Sequence, residues 1–300
     1  MWHDEYAEIN GLKLHYVRAG SGAQVLLFLH GFPEFWYMWK EQLAEFGQDY
    51  TAIAVDLRGY NLSDKPARVD DYAMPHLIAD VKAMFDRFSP GRKGLLVAHD
   101  WGGGVAWAFA LAHPEYLEKL IIINCPHPAV FARELRTSPA QQKASQYMLM
   151  FRSPQAEAML SANNFAALSQ AVFNSTTRAD AYSEADREAY LEAWSQPGAL
   201  TGGLNYYRAA QIGPPEPGNS AAEIRTFTDA ASWTVKVPTL MIWGEQDHAL
   251  MIGNLDGLEP FIPDLQIRRI PQASHWVVHE EPQLVNQYLR EFISGKQTAR

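Results

Sequence analysis

Leu95-Leu96-Val97-Ala98-His99-Asp100-Trp101-Gly102-Gly103 is the stretch on which the reading of this chain turns. A short apolar run leads into it, and the helix-forming Val105-Ala106-Trp107-Ala108-Phe109-Ala110 leads out. A strand-to-helix turn flanked by small residues lifts one side chain clear at the tip of a sheet, the arrangement called a nucleophile elbow. Serine usually holds that tip; here it is Asp100. The exchange changes the chemistry. A hydroxyl must lose a proton and prefers carbonyl carbon, whereas a carboxylate can displace a leaving group at saturated carbon. An aspartate before a helix also reads as an N-cap, so the turn alone leaves both roles open.

Outward from this turn the same grammar repeats. Val25–Leu29, Ala52–Val55 and Leu120–Ile123 are continuous apolar runs, suited to strands buried on both faces of a largely parallel sheet. Thr239–Trp243 and Leu265–Ile270 add two strands late in the chain, and Ile78–Phe85 reads as a helix between strands. Near the start, Asn10-Gly11 joins two strand-like runs as a hairpin turn. The alternation predicts an α/β fold: a mostly parallel twisted sheet with helices on both faces. Residues 127–233 break the rhythm. They read as mostly helical, with Ser183 and Asp186 as a helix-starting pair, Pro197 as a stop and Gly213–Asn219 as a return linker. The expected organisation is therefore a core of residues 1–126 and 234–300 carrying an inserted helical cap of residues 127–233.

Composition narrows the partners. A net charge of −9 without a basic run argues against nucleic acid or an anionic membrane. The 47% hydrophobic content and nine tryptophans are enough for a large core and an apolar pocket. Cys125 is the single cysteine, so no internal disulfide can form. The N-terminus lacks a signal-peptide layout and no apolar run approaches spanning length, so a cytoplasmic protein is expected.

Asp247 and His275 follow the two late strands, at the carboxyl ends where such sheets bind ligands. There His275 could activate water while Asp247 orients its ring. His279 is the rival base. It also has helical metal-ligand spacing with His275, but no His-Glu-x-x-His is present and no metal site is expected. His30-Gly31-Phe32-Pro33-Glu34 occupies the place of an oxyanion loop, where the N–H groups of Phe32 and Trp101 could stabilise developing charge; Pro33 has none to offer. Tyr147 and Tyr207 stand on predicted helices of the cap. Packing alone explains any single tyrosine, but two over a nucleophile could donate protons to a basic leaving oxygen. Phe35, Trp36, Met148, Met150 and Phe173, with Tyr206, are the expected walls of an apolar pocket.

These segments together resemble the epoxide hydrolases of the α/β-hydrolase fold, including the vertebrate soluble enzyme's C-terminal domain and bacterial relatives. The likeness runs through His30–Glu34, Asp56-Leu57-Arg58-Gly59-Tyr60, Ser63-Asp64-Lys65-Pro66, His99–Gly103, Tyr147–Phe151, Leu204–Arg208, Glu245-Gln246-Asp247 and His275-Trp276. It implies Asp100 as nucleophile, His275 as base, Asp247 as its supporting acid, and Tyr147 and Tyr207 as ring-opening donors. It also implies conversion of a small apolar epoxide and water to a vicinal diol through an alkyl ester, with no cofactor. Tyr206 stands where the family often has tryptophan, and which of Tyr206 and Tyr207 faces the substrate stays open. Ala98 and Ser274 stand where the family usually has glycine, both small exchanges.

Two other readings fit parts of the pattern. A dehalogenase would use the same Asp/His/Asp set, with Trp101 as a halide donor. A binding protein that kept the fold would have no use for a complete nucleophile, base and acid.

Overall fold

The computed structural model describes residues 2–216 and 229–295. Strands β1 (Trp2–Ile9) and β2 (Leu12–Ala19) form the expected hairpin, turned by Asn10 and Gly11 at φ 51° and 79°. These open an eight-stranded sheet with β3 (Val25–Leu29), β4 (Thr51–Val55), β5 (Gly94–His99), β6 (Leu117–Ile123), β7 (Thr239–Gly244) and β8 (Leu265–Ile270). The order is β1-β2-β4-β3-β5-β6-β7-β8; β1 and β2 run antiparallel to their neighbours and the rest pair in parallel.

Continuous apolar strands follow from a core on each side of the sheet. Leu27, Leu29, Leu96 and Ala98 face one core, and Leu26, Phe28, Leu95 and Val97 face the other. Helices α1 (Lys40–Phe46), α2 (Met74–Phe88) and α3 (Asp100–Ala112) divide between the faces. Val81 and Phe85 of α2 join Val105 and Phe109 of α3 in the first core, whereas Leu43 and Phe46 of α1 join the second.

Between β6 and β7 the described residues contain no strand. They form α4 (Pro128–Thr137), α5 (Pro139–Ala144), α6 (Gln146–Arg152), α7 (Ala156–Val172), α8 (Glu184–Ser195) and α9 (Ala199–Ala210). Left-handed residues Asn163, Asn164 and Phe165 interrupt α7. Helix α8 starts with the expected reciprocal pair: Ser183 Oγ accepts from Asp186 N at 3.2 Å, and Asp186 Oδ2 accepts from Ser183 N at 2.9 Å. Of the expected return linker, residues 217–219 lie outside the described residues. Helices α10 (Val277–Glu280) and α11 (Pro282–Ser294) follow β8, and Val285, Leu289 and Phe292 of α11 complete the second core. Among the described residues, no helix is long and apolar enough to cross a membrane.

Helix α3 begins very close to the sheet. A Cβ on Gly102 would lie 2.4 Å from the carbonyl oxygen of Leu29 and 2.5 Å from that of His30. Backbone cannot yield as a flexible side chain can, so Gly102→Ala should displace α3 and cost about 1–3 kcal/mol. Urea unfolding measures this; an unchanged midpoint would mean the contact is not tight.

Candidate active site

Strand β5 is buried throughout and delivers Asp100 at its carboxyl end. Asp100 takes φ 48°, in the left-handed region that side chains rarely adopt, so the chain turns sharply into α3. The neighbouring loop reaches the carboxylate because Gly31 has no Cβ: one would sit 2.3 Å from both Cβ and Oδ1 of Asp100. The N–H of Phe32 therefore donates to Asp100 Oδ1 at 2.8 Å. Trp101, in the first turn of α3, sets its ring edge-on to Tyr207, 5.0 Å between centroids.

His275 lies beyond β8 and meets both acids. Its Nδ1 is 2.7 Å from Asp247 Oδ2, and its Nε2 is 3.7 Å from Asp100 Oδ2. Burial disfavours the charged ring, but Asp247 and then Asp100 and Glu34 outweigh it and push the pKa up to about 9. Asp247 is itself buried, which opposes ionisation. His275, the N–H groups of Ala249 and Leu250, and Asn124 Nδ2 at 2.8 Å overcome that and lower its pKa.

Asn124 escaped the sequence reading. It follows β6 as Asp247 follows β7, and that shared position past the strand ends was the available signal. Its side chain ties the two strand ends together, with Oδ1 accepting from Gly244 N at 2.8 Å. Glu34 was read only as part of a loop motif. It is fully buried, with Oε1 accepting from Tyr190 and His279 at 2.8 and 2.7 Å, and Oε2 lying 3.0 Å from His99 Nδ1. Burial opposes its charge, yet the two histidines hold its carboxyl well below the usual range. His99 faces the His275 carbonyl oxygen through Nε2 at 2.9 Å, in keeping with a packing role beside the elbow. His279 is engaged by Glu34 and does not face Asp100 through any described contact.

Asp100 opens onto a cavity of about 550 Å³ lined by Trp101, Tyr147, Met148 and Tyr207, with Phe131 and Leu135 along its wall. Tyr147 on α6 and Tyr207 on α9 meet edge to face, 6.3 Å between centroids. Burial pushes both phenols well above their ordinary pKa, and the Asp100 charge adds to it. Tyr206 is a correction. It points to the core, where its hydroxyl donates to the Arg58 carbonyl oxygen at 3.0 Å and its ring meets Tyr60 and Tyr72. Phe35 and Trp36 are also corrected as cavity walls: Phe35 stacks on Tyr37, and Trp36 turns to Trp2 and His15. Phe173 packs on Tyr182 and Trp194, and Met150 is half-buried outside the lining. Phe131, Leu135 and Leu250 take the places expected of them.

The profile of the family described as alpha/beta hydrolase fold matches residues 24–282. Mouse epoxide hydrolase 4 is 37% identical over 291 residues, covering 95% of this chain and 77% of that protein. The AB hydrolase superfamily protein YfhM of Bacillus subtilis is 39% identical over 295 residues, covering 97% and 98%. The crystal structure of Bacillus megaterium epoxide hydrolase in complex with an inhibitor superposes with a TM-score of 0.87 at 36% identity, covering 97% of this chain and 100% of that one.

Because the Asp100 charge supports the proton on His275, removing it should lower the ring's pKa. An NMR titration of the imidazole in Asp100→Asn should therefore show a pKa below that of the parent. An equal or higher value would show that the two groups are not electrostatically coupled.

Proposed function

Because this chain belongs to the α/β-hydrolase fold family, we propose that it hydrolyses epoxides to vicinal diols through an ester on Asp100, beneath a helical cap of residues 127–233 set on a core of residues 1–126 and 234–300. The observation that carries this reading is the presence of Tyr147 and Tyr207 in one cavity with Asp100. The similarity to proteins named as epoxide hydrolases, over nearly all of this chain, supports the same activity. The lone cysteine suits a reducing cytoplasm as the place of action.

With Oδ1 engaged by Phe32 N–H, Oδ2 of Asp100 is the atom free to attack a ring carbon. The ring C–O bond breaks as the ester bond forms. The departing oxygen takes a proton from Tyr147 or Tyr207, whose raised pKa values keep both phenols protonated at neutral pH. His275 starts as imidazolium beside two carboxylates. Once the Asp100 charge is consumed, the ring gives up its proton and the phenol is restored. Neutral His275 then takes a proton from water, which attacks the ester carbon. The Phe32 and Trp101 N–H groups stabilise the tetrahedral oxyanion, and Asp247 stabilises the returning imidazolium. Collapse breaks the ester C–O bond, and the departing alkoxide takes the remaining proton of the attacking water to become the diol, leaving the Asp100 carboxylate and imidazolium, so protons and charge balance over the cycle. Met148 contributes to the apolar wall that holds the substrate. Halide would leave without a proton, so a dehalogenase has no need of the paired phenols.

Single turnover in heavy-oxygen water should place the label in Asp100 and leave the first diol free of it, as read by mass spectrometry; label found only in the diol would exclude the ester. Tyr147→Phe and Tyr207→Phe should each slow ester formation by about 10²–10⁴-fold in pre-steady-state kinetics. Unchanged rates in both would remove the phenols from ring opening.

A further inference from the structure

The loop that carries His275 is held by a buried carboxylate with no part in the proton transfers. Glu280 ends α10 and is 1% exposed. Its Oε2 accepts from Ser274 N at 2.6 Å, and its Oε1 accepts from Ser274 Oγ at 2.8 Å and from Thr177 N at 2.6 Å. Ser274 Oγ in turn accepts from Trp276 N at 3.2 Å. The residues on either side of His275 are therefore bound to one carboxylate, directly or through one hydroxyl. Thr177 lies between α7 and α8, so the same carboxylate also reaches the helical insertion. Trp276 makes a second tie there, its indole N–H shared between Ser175 Oγ at 2.7 Å and the Ala171 carbonyl oxygen at 3.2 Å. On the other side, Gly244 lets the Ser274 carbonyl close on the end of β7: a Cβ would lie 2.2 Å from that oxygen. Burying a carboxylate is costly unless its oxygens accept hydrogen bonds, and here the base loop and the insertion supply them.

We propose that Glu280 is a positioning residue for the base: by holding Ser274 and, through Thr177, the helical insertion, it fixes the height of the His275 ring above Asp100. The proposal rests on the epoxide-hydrolase reading and deepens it. Asp247 fixes the ring at Nδ1, but Nε2 stands 3.7 Å from Asp100 Oδ2, beyond hydrogen-bond reach. No direct bond sets that gap, so the backbone that carries the ring must set it. The two chemical steps feel it differently. Attack of Asp100 on the ring carbon needs only the positive charge of His275, which tolerates a small shift. Hydrolysis of the ester needs neutral Nε2 aligned with a water and the ester carbon, and tolerates much less. The Ser274 hydroxyl makes two of the bonds in this arrangement, one to Glu280 and one from Trp276 N.

Styrene oxide mixed with a saturating excess of enzyme, quenched at intervals and read by mass spectrometry, gives separate rates for formation and decay of the Asp100 ester. Both rates belong to folded enzyme, so a smaller folded fraction does not alter them. In Glu280→Gln the side-chain amide turns an N–H toward groups that are themselves donors. Its ester should decay about 10–10²-fold more slowly, the scale for a catalytic group misplaced by about 1 Å, while formation stays close to the parental rate. In the steady state kcat and KM should fall together as ester accumulates. Ser274→Ala removes only the hydroxyl and should slow decay by a smaller factor. Combined with Glu280→Gln, it should slow decay by less than the product of the two factors, because both act through one contact. Parental decay in Glu280→Gln, or formation and decay slowed alike, overturns the assignment, while ester seen in the parent leaves the hydrolase reading standing. Should Glu280→Gln fail to fold, parental decay in Ser274→Ala has the same force. No ester in the parent at any time sinks the hydrolase mechanism, and the role of Glu280 with it.

Discussion

The left-handed backbone at Asp100 is the constraint from which the rest of the site follows. A side chain there carries a cost of order 1–3 kcal/mol, sustained only where the surroundings over-determine the turn. Here they do. A fully buried strand holds one side, and α3 meets the carbonyl oxygens of Leu29 and His30 where Gly102 leaves no room for a side chain. Gly31 lets the adjoining loop close on the carboxylate, and the Phe32 amide pins one oxygen. The turn thus presents one oxygen held and the other free. That asymmetry is what an attacking group needs.

Charge is arranged around the turn in two rows. Asp100 and Asp247 flank the His275 ring, and both favour its protonated form. Behind them, buried Glu34 gathers His99, His279 and Tyr190. Tyr190 belongs to α8, as does Trp194, whose indole N–H donates to the Pro33 carbonyl oxygen at 2.6 Å. The loop that supplies the Phe32 amide is therefore tied to the helical insertion by buried polar contacts. On the opposite rim, Arg152 meets the half-exposed Glu216.

Much of this was legible because it is local. A strand that must be buried on both faces has to be apolar at every position, so β3, β5, β6 and β7 announce themselves. The elbow needs small residues around its tip, and Ala98, Gly102 and Gly103 flank His99-Asp100-Trp101. Asp247 and His275 stand just past strands, where a parallel sheet collects its functional groups. Such signals depend on a few neighbouring residues and survive without coordinates.

Direction did not survive in the same way. Tyr206 and Tyr207 are adjacent and chemically identical, yet about 100° of helical turn separates them. Only the packing of α9 decides that Tyr206 seeks the Arg58 carbonyl while Tyr207 faces Asp100. Phe35 and Trp36 follow the oxyanion loop in sequence but turn to other aromatic neighbours. Asn124, Phe131 and Arg152 gain their places from elements far apart in the chain. The sequence by itself therefore determined where the strands fall and that Asp100, Asp247 and His275 stand just past strand ends, since periodicity and turn chemistry are properties of short segments. The tertiary structure alone decided which side chains share the cavity, because that depends on how whole helices rotate and settle against one another.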